Sequence, residues 1–213
     1  FHIAESAIHR DIEITPDIKP IWGLDVARFG TDKTALCKRY GNVVTEIRAW
    51  QGLDLMQTVG RVMAEYESLS PSVRPSEILV DSIGVGGGVV DRLRELGAPV
   101  RGVNVSEAPA MGHTYMNLRS ELWFKAKGWL EDRSCKLPKD DQLLAELTAI
   151  RYSFTSSGKM KAESKDEMRK RGLKSPDLAD ALCLTMASDA ATALSGSIST
   201  WKRPIKRNLK GIA

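Results

Sequence analysis

Residues 21–50, IWGLDVARFGTDKTALCKRYGNVVTEIRAW, decide the fold class. IWGLDVARFG reads as a buried strand ending in a turn. TALCKRYGNVVTEIRAW reads as two strands joined at Gly41-Asn42, a hairpin signal. Working outward, residues 54–69 place Leu55, Val59, Val62, Met63, Tyr66 and Leu69 at helical spacing. Past Pro71 and Pro75, EILVD is a short apolar strand ending on Asp81. Gly84, Gly86, Gly87 and Gly88 then lead into the helix VVDRLRELG, stopped by Gly97, and PVRGVNV is one more strand. The order β-β-β-α-β-α-β gives an α/β fold with a mixed central sheet and helices on both faces, rather than an all-parallel sheet.

Beyond it, residues 115–131 and 140–148 read as helices separated by Pro138. IRYSFTSSGKMKAES reads as a hairpin turning at Ser157-Gly158, and SKDEMRKRG as a helical segment stopped by Gly172. Ser175-Pro176 opens a last helix over 177–194, where proline suits a first turn whose N–H has no intrahelical partner. The expected organisation is an arm or linker at 1–20, a folded domain at 21–195 and a basic tail at 196–213.

Composition narrows the function classes. In 213 residues, 42% hydrophobic and 27% charged is ordinary for a globular fold, which excludes wholesale disorder. Aromatics at 6% disfavour a protein built on many base-stacking platforms. No apolar run approaches the roughly 20 residues that span a bilayer. Cys37, Cys135 and Cys183 form no CxxC pair, so a disulfide framework or zinc knuckle is not expected. With only three histidines, any metal site is carboxylate-based, which favours Mg²⁺ or Mn²⁺. Residues 201–213, WKRPIKRNLKGIA, hold five basic residues and no acid, enough to account for the whole net charge of +4. The body is therefore not a uniformly basic nucleic-acid binder, and any such contact there needs a local patch.

Four acids at three places carry the chemistry. Asp25 lies inside an apolar strand, Asp81 ends one, and Asp177 and Asp180 sit three apart, on one face of the last helix. Each has a bland reading. A strand-end Asp most often caps a turn, and an Asp in the first helical turn most often complements the dipole. Asp25 is harder to dismiss, because an unpartnered acid inside a strand is costly. If the strands holding Asp25 and Asp81 are neighbours and the helix packs across them, all four carboxylates converge. Such a cluster either shifts its pKa values or recruits cations.

GLDVARFGTDKTA, ILVDSIGVGGGVVDRL and ESKDEMRKRGLKSPDLADALCL, in this order and spacing, resemble the nuclease domain of phage large terminase subunits, ribonuclease H-like and resolvase-related enzymes. The paired acids of D-x-x-D-A-L also resemble the end of Holliday-junction resolvases. The resemblance implies a ribonuclease H-like nuclease domain over 21–195. It also implies two Mg²⁺ or Mn²⁺ ions per site, held by Asp25, Asp81, Asp177 and Asp180. Many relatives have His-Asp-Asp where this chain has Ser175-Pro176-Asp177, so both Asp177 and Asp180 stand as third ligand. The implied activity is endonucleolytic cleavage of double-stranded viral DNA concatemers during packaging. The alternatives are a junction resolvase-like nuclease and a non-enzymatic DNA-binding or assembly module. Implied partners are double-stranded DNA, an ATPase motor domain of the same full-length protein, a small terminase subunit and the portal. The implied location is the cytoplasm of an infected bacterial host, with no membrane. No G-x-x-x-x-G-K-[S/T] loop occurs here, so the motor is expected outside this sequence.

Lys159, Lys161 and Lys165 flank the 150–164 hairpin and Arg169, Lys170, Arg171 and Lys174 form the densest basic run of the body. Both sets are candidates for gripping DNA phosphate, against the alternative of a solvated face. GVGGG at 84–88 reads first as a tight strand-to-helix turn beside Asp81 and second as a backbone contact to DNA. Asp32 reads as a turn residue, and Trp123, Phe124 and Trp129 as core rather than a stacking surface.

Overall fold

A computed structural model of the chain describes residues 2–15, 17–27 and 32–189. Five strands, β1 (Ile21–Asp25), β2 (Thr34–Tyr40), β3 (Val43–Trp50), β4 (Glu77–Asp81) and β5 (Val100–Val103), form one sheet in the order β3-β2-β1-β4-β5. β1, β2 and β3 pair antiparallel, while β4 and β5 join in parallel, giving the expected mixed sheet. The helices are α1 (His2–Ile8), α2 (Leu55–Glu67), α3 (Gly86–Glu95), α4 (Leu118–Glu131), α5 (Asp141–Ala149), α6 (Lys165–Lys170) and α7 (Asp177–Leu184). A separate hairpin pairs β6 (Tyr152–Phe154) with β7 (Met160–Ala162). No helix among the described residues is long and apolar enough to cross a membrane.

The two-residue period of a strand sorts the sheet into two cores. Trp22, Leu24, Ile78 and Val80 face Val59, Val62 and Met63 of α2 and Val89, Val90 and Leu93 of α3. Ile21 and Leu79 point the other way, into a larger core with α1, α4, α5 and α7. By the same alternation Asp25 and Asp81 fall on the α7 side, and the pairing of Leu24 with Val80 brings the two acids to neighbouring strand ends.

Two glycines set this geometry. Gly23 lets α7 lie directly on β1, since a Cβ there would stand 2.1 Å from the Ala181 carbonyl oxygen. Gly86 closes the turn after β4, where a Cβ would stand 1.7 Å from the carbonyl oxygen of Asp81. The 84–88 stretch is thus a tight strand-to-helix turn, and α3 starts within it.

Three expectations need correction. The 177–194 helix ends at Leu184 and passes into a 3-10 turn over Thr185–Ala187. Arg39 explains the stop: its Nη2 donates to the Thr185 carbonyl and its Nε to Thr185 Oγ1, each at 2.8 Å, so the chain's end-of-helix groups find partners in β2. The 115–131 helix starts only at Leu118, where Asn117 accepts from Ser120 N and takes the N-cap. The 1–20 segment contains α1, whose Ala4 and Ala7 are buried in the larger core. The basic tail at 196–213, with its run at 201–213, lies outside the described residues.

Candidate metal centre

Asp25 ends β1 and Asp81 ends β4, both at the carboxyl edge of the sheet. Asp177 and Asp180 occupy the first turn of α7, all eight of whose residues are buried. Asp25 and Asp177 are each 4% exposed and Asp180 is 8% exposed, so none can rely on bulk water for solvation.

One cation answers three of them. Lys165 Nζ stands 2.8 Å from Asp25 Oδ2, 3.4 Å from Asp177 Oδ1 and 3.5 Å from Asp180 Oδ2. No two of these oxygens are therefore further apart than two such contacts end to end. Lys165 is held there by its own helix start. Ser164 Oγ accepts from Glu167 N, and Glu167 Oε2 accepts from Ser164 N, a capping box that fixes the first turn of α6. Asp81 does not touch Lys165. It accepts from Ile83 N at 3.1 Å and shares with Asp25, Asp180, Arg119, Ser164 and Lys165 the wall of a cavity of about 150 Å³.

The remaining lone pairs are also used. Asp180 Oδ1 accepts from Trp123 Nε1 at 2.7 Å and from Arg119 Nη2 at 3.0 Å. Arg119 is anchored in turn by Nη1 donating to the Glu163 carbonyl. Asp177 Oδ2 accepts from Lys33 N at 2.8 Å.

Burial pushes the Asp25 carboxyl above its ordinary range, opposed by the Lys165 ammonium and reinforced by Asp180 and Asp177. Burial also raises Asp81, against the Ile83 N–H that favours its charged form. Lys165 loses by burial and gains more from Asp25, Asp180 and Asp177, so its pKa is raised and it stays an ammonium. Neighbouring acids that stabilise a central cation, while themselves resisting ionisation, make a site with a standing demand for positive charge.

No group of three or more His, Cys, Asp or Glu side chains among the described residues is arranged to hold a metal ion. The reason is spacing. The carboxylates stand 2.8–3.5 Å from an ammonium nitrogen, whereas Mg²⁺ takes oxygens at roughly 2.0–2.1 Å. The donor chemistry, carboxylate oxygens, fits a hard divalent cation.

The basic candidates divide. Lys165 is turned in onto the acids and not out towards a phosphate. Lys161 is paired with Glu167, Arg169 with Asp32 and Asp166, and Arg171 with Glu163. Lys159, Lys170 and Lys174 make no ion pair among the described residues. Asp32 thus serves as an ion-pair partner, and Trp123 as a buried donor to Asp180 rather than as core alone. Arg119, which holds Asp180, and Glu146, whose Oε2 accepts from Ala179 N at 2.9 Å while Gln142 donates to its Oε1, are components that the sequence reading missed. They sit on helices as ordinary-looking polar residues, with no local pattern that marks them.

This architecture, a mixed five-stranded sheet in the order β3-β2-β1-β4-β5 with α7 laid across it, is a ribonuclease H-like fold. Within it, solved structures similar to the chain are nuclease domains of phage large terminase subunits. That of gp2 of bacterial virus Sf6 matches with a TM-score of 0.72 at 22% identity, over 87% of this chain and 96% of that one. The large terminase nuclease of thermophilic phage G20c with bound magnesium matches at 0.63 and 18% identity, over 83% and 85%. The nuclease domain from Thermus phage P74-26 matches at 0.58 and 16%, over 84% and 82%. Other structures of the first two domains hold manganese, calcium or cobalt. No protein-family model and no curated protein matches the chain.

Proposed function

We propose that this chain is a metal-dependent endonuclease that cuts double-stranded viral DNA during genome packaging. One observation carries the reading: Asp25, Asp177 and Asp180 gather on the single Lys165 ammonium, and Asp81 shares one small cavity with Asp25 and Asp180. The shared fold with metal-bound terminase nuclease domains supports it.

Asp25, Asp81, Asp177 and Asp180 are the residues that would hold the ions, Mg²⁺ or Mn²⁺, two per site. Bound there, such ions supply the Lewis acidity that activates a water and stabilises the departing 3′ oxygen of a phosphodiester. The chain's own part is placement. The two strand ends hold Asp25 and Asp81 on a rigid sheet. Trp123 and Arg119 fix the rotamer of Asp180, and the Lys33 N–H fixes that of Asp177. Lys165 neutralises the cluster until ions arrive.

A side-chain nucleophile is not supplied. Of the cavity's hydroxyl and thiol groups, Ser164 is committed to its capping box, and burial raises the Cys183 thiol well above its ordinary pKa. Lys159, Lys170 and Lys174 are the basic side chains best placed to meet the DNA backbone. In this reading the chain works in the host cytoplasm beside an ATPase motor domain of the same protein, a small terminase subunit and the portal.

Plasmid cleavage tests the reading. Nicking and linearisation are expected with Mg²⁺ or Mn²⁺, and none with EDTA. Ca²⁺ should bind but support little cutting, because its looser coordination positions a water poorly. Cleavage in EDTA would sink the metal-dependent mechanism.

A further inference from the structure

The start of α7 poses a problem that its own sequence does not solve. A buried helix N-terminus leaves backbone N–H groups without partners, and normally a Ser, Thr, Asp or Asn at the N-cap takes one of them. Here the N-cap is Pro176, which offers no side-chain acceptor, and the whole first turn is buried. Water cannot substitute freely in such a place.

The acceptor comes from α5. Glu146 Oε2 accepts from Ala179 N at 2.9 Å, and Leu178 N lies close enough to contribute. Ala179 sits between Asp177 and Asp180, so the bond is made at the backbone unit that carries both acids. Glu146 is itself oriented: Gln142, one turn earlier, donates from Nε2 to Glu146 Oε1 at 2.7 Å. Gln142 Oε1 in turn accepts from Lys33 Nζ at 3.2 Å. The same Lys33 donates its backbone N–H to Asp177 Oδ2. The hydrogen bonds therefore close a ring through Lys33, Gln142, Glu146 and the first turn of α7. The fixed direction of the Lys33–Gln142 bond sets which way the Gln142 amide faces, and so which oxygen of Glu146 is left for the helix.

Its cost argues for a purpose. Glu146 is 9% exposed, and burial together with the nearby Asp177 lifts its carboxyl to about 7. An acid is kept there beside like charge, in contact with the backbone N–H that an apolar residue would leave unpaired.

We propose that Glu146, oriented by Gln142 and Lys33, is a positioning residue that caps α7 from a neighbouring helix and thereby sets the placement of Asp177 and Asp180 for a divalent cation. The inference rests on the nuclease reading and deepens it. It differs from a purely structural role in what it predicts: a stabilising contact alone lowers the melting temperature, whereas this one also changes the metal affinity of protein that remains folded.

The test is calorimetric titration of the whole chain with Mn²⁺ at pH 7.5, with circular dichroism to verify folding. Outer partners of metal ligands typically carry 10–100-fold in affinity, so Glu146→Ala should bind Mn²⁺ at least about tenfold more weakly. Glu146→Gln keeps an oxygen for the Ala179 N–H and should recover most of that loss. Gln142→Ala leaves the cap in place but unoriented and should lose about threefold, which keeps the idea testable if Glu146→Ala fails to fold. Wild-type affinity in folded Glu146→Ala or, if that variant fails to fold, in Gln142→Ala overturns the proposal. So does a Glu146→Gln protein as weak as folded Glu146→Ala, because charge rather than capping would then be at work. Failure of the wild-type chain to bind Mn²⁺ at all would instead strike the nuclease reading itself.

Discussion

The two sides of the sheet are built on opposite terms. On the α2–α3 side Trp22, Leu24, Leu36, Ile78 and Val80 meet Val59, Val62 and Leu93, and three buried polar atoms there, Trp22 Nε1, Thr58 Oγ1 and Arg92 Nε, go without a hydrogen-bond partner. On the α7 side the core admits Asp25, Arg39, Glu121, Glu146, Asp177 and Asp180, and each of these charged groups has a partner, while the neutral Ser175 Oγ beside them has none. The difference teaches where the fold gets its stability and where it spends it. One side is apolar enough to tolerate an unmatched atom. The other holds so much buried charge that a single missing partner is expensive.

Four experiments would break or sharpen this contrast. The largest effect is expected at Asp25. Asp25→Asn keeps the shape of the site and should lower the cleavage rate by at least about a hundredfold, while DNA affinity in a filter-binding assay changes little. A matching loss of DNA binding would instead favour a binding module over an enzyme.

Leu93→Ala, on the opposite side, should cost about 2–5 kcal/mol by chemical denaturation. Its cleavage rate below the unfolding transition should stay that of the wild type. A loss of rate without a loss of stability would show that the two sides are coupled. Lys165→Met comes next. In EDTA its melting temperature should drop by several degrees, since the acids lose their shared cation, and the gain on adding Mn²⁺ should exceed that of the wild type. An unchanged metal-induced gain would mean that Lys165 and the metal do not compete for the cluster.

The smallest effect is a slope with pH. The folded Glu146 carboxyl holds its proton up to about 7, above its ordinary 4.5, and Asp25 shifts in the same direction. The folded state therefore binds more protons than the unfolded one between roughly pH 4.5 and 7, and metal-free stability should fall as pH rises through that window. Glu146→Gln should flatten the slope, and Leu93→Ala should leave it unchanged. A wild-type melting temperature that rises from pH 5 to 7 in EDTA contradicts the sign.

What the sequence made legible follows from distance along the chain. The sheet could be read because each strand announces itself locally: apolar runs, the Gly41-Asn42 turn, the glycines after Asp81. The four acids stood out because each breaks a local pattern, Asp25 inside an apolar run and Asp177 with Asp180 on one face of an apolar helix. Lys165 was visible as a charge, but its destination was not. It looks like one member of a basic stretch, and its partner Asp25 lies 140 positions away. Arg119 and Glu146 were hidden for the same reason, 61 and 33 positions from the groups they hold. The end of α7 was missed because Thr185, Met186 and Ala187 sustain a helical pattern. Only Arg39, brought over from β2, supplies the bonds that stop it.

The close seat of α7 on Gly23 has a consequence for the order of events at the ribosome. Chains fold broadly from the N-terminal end as they emerge. All five strands of the sheet lie within residues 21–103, so the sheet can assemble while α7 is still unmade. Through that interval the notch over Gly23 is open, and Asp25 and Asp81 stand at the sheet edge without Asp177, Asp180 or Lys165. Half of the acid set arrives last, on a helix whose docking also seals the larger core. Chain connectivity alone thus keeps a nascent copy from presenting a complete cluster before its domain has closed.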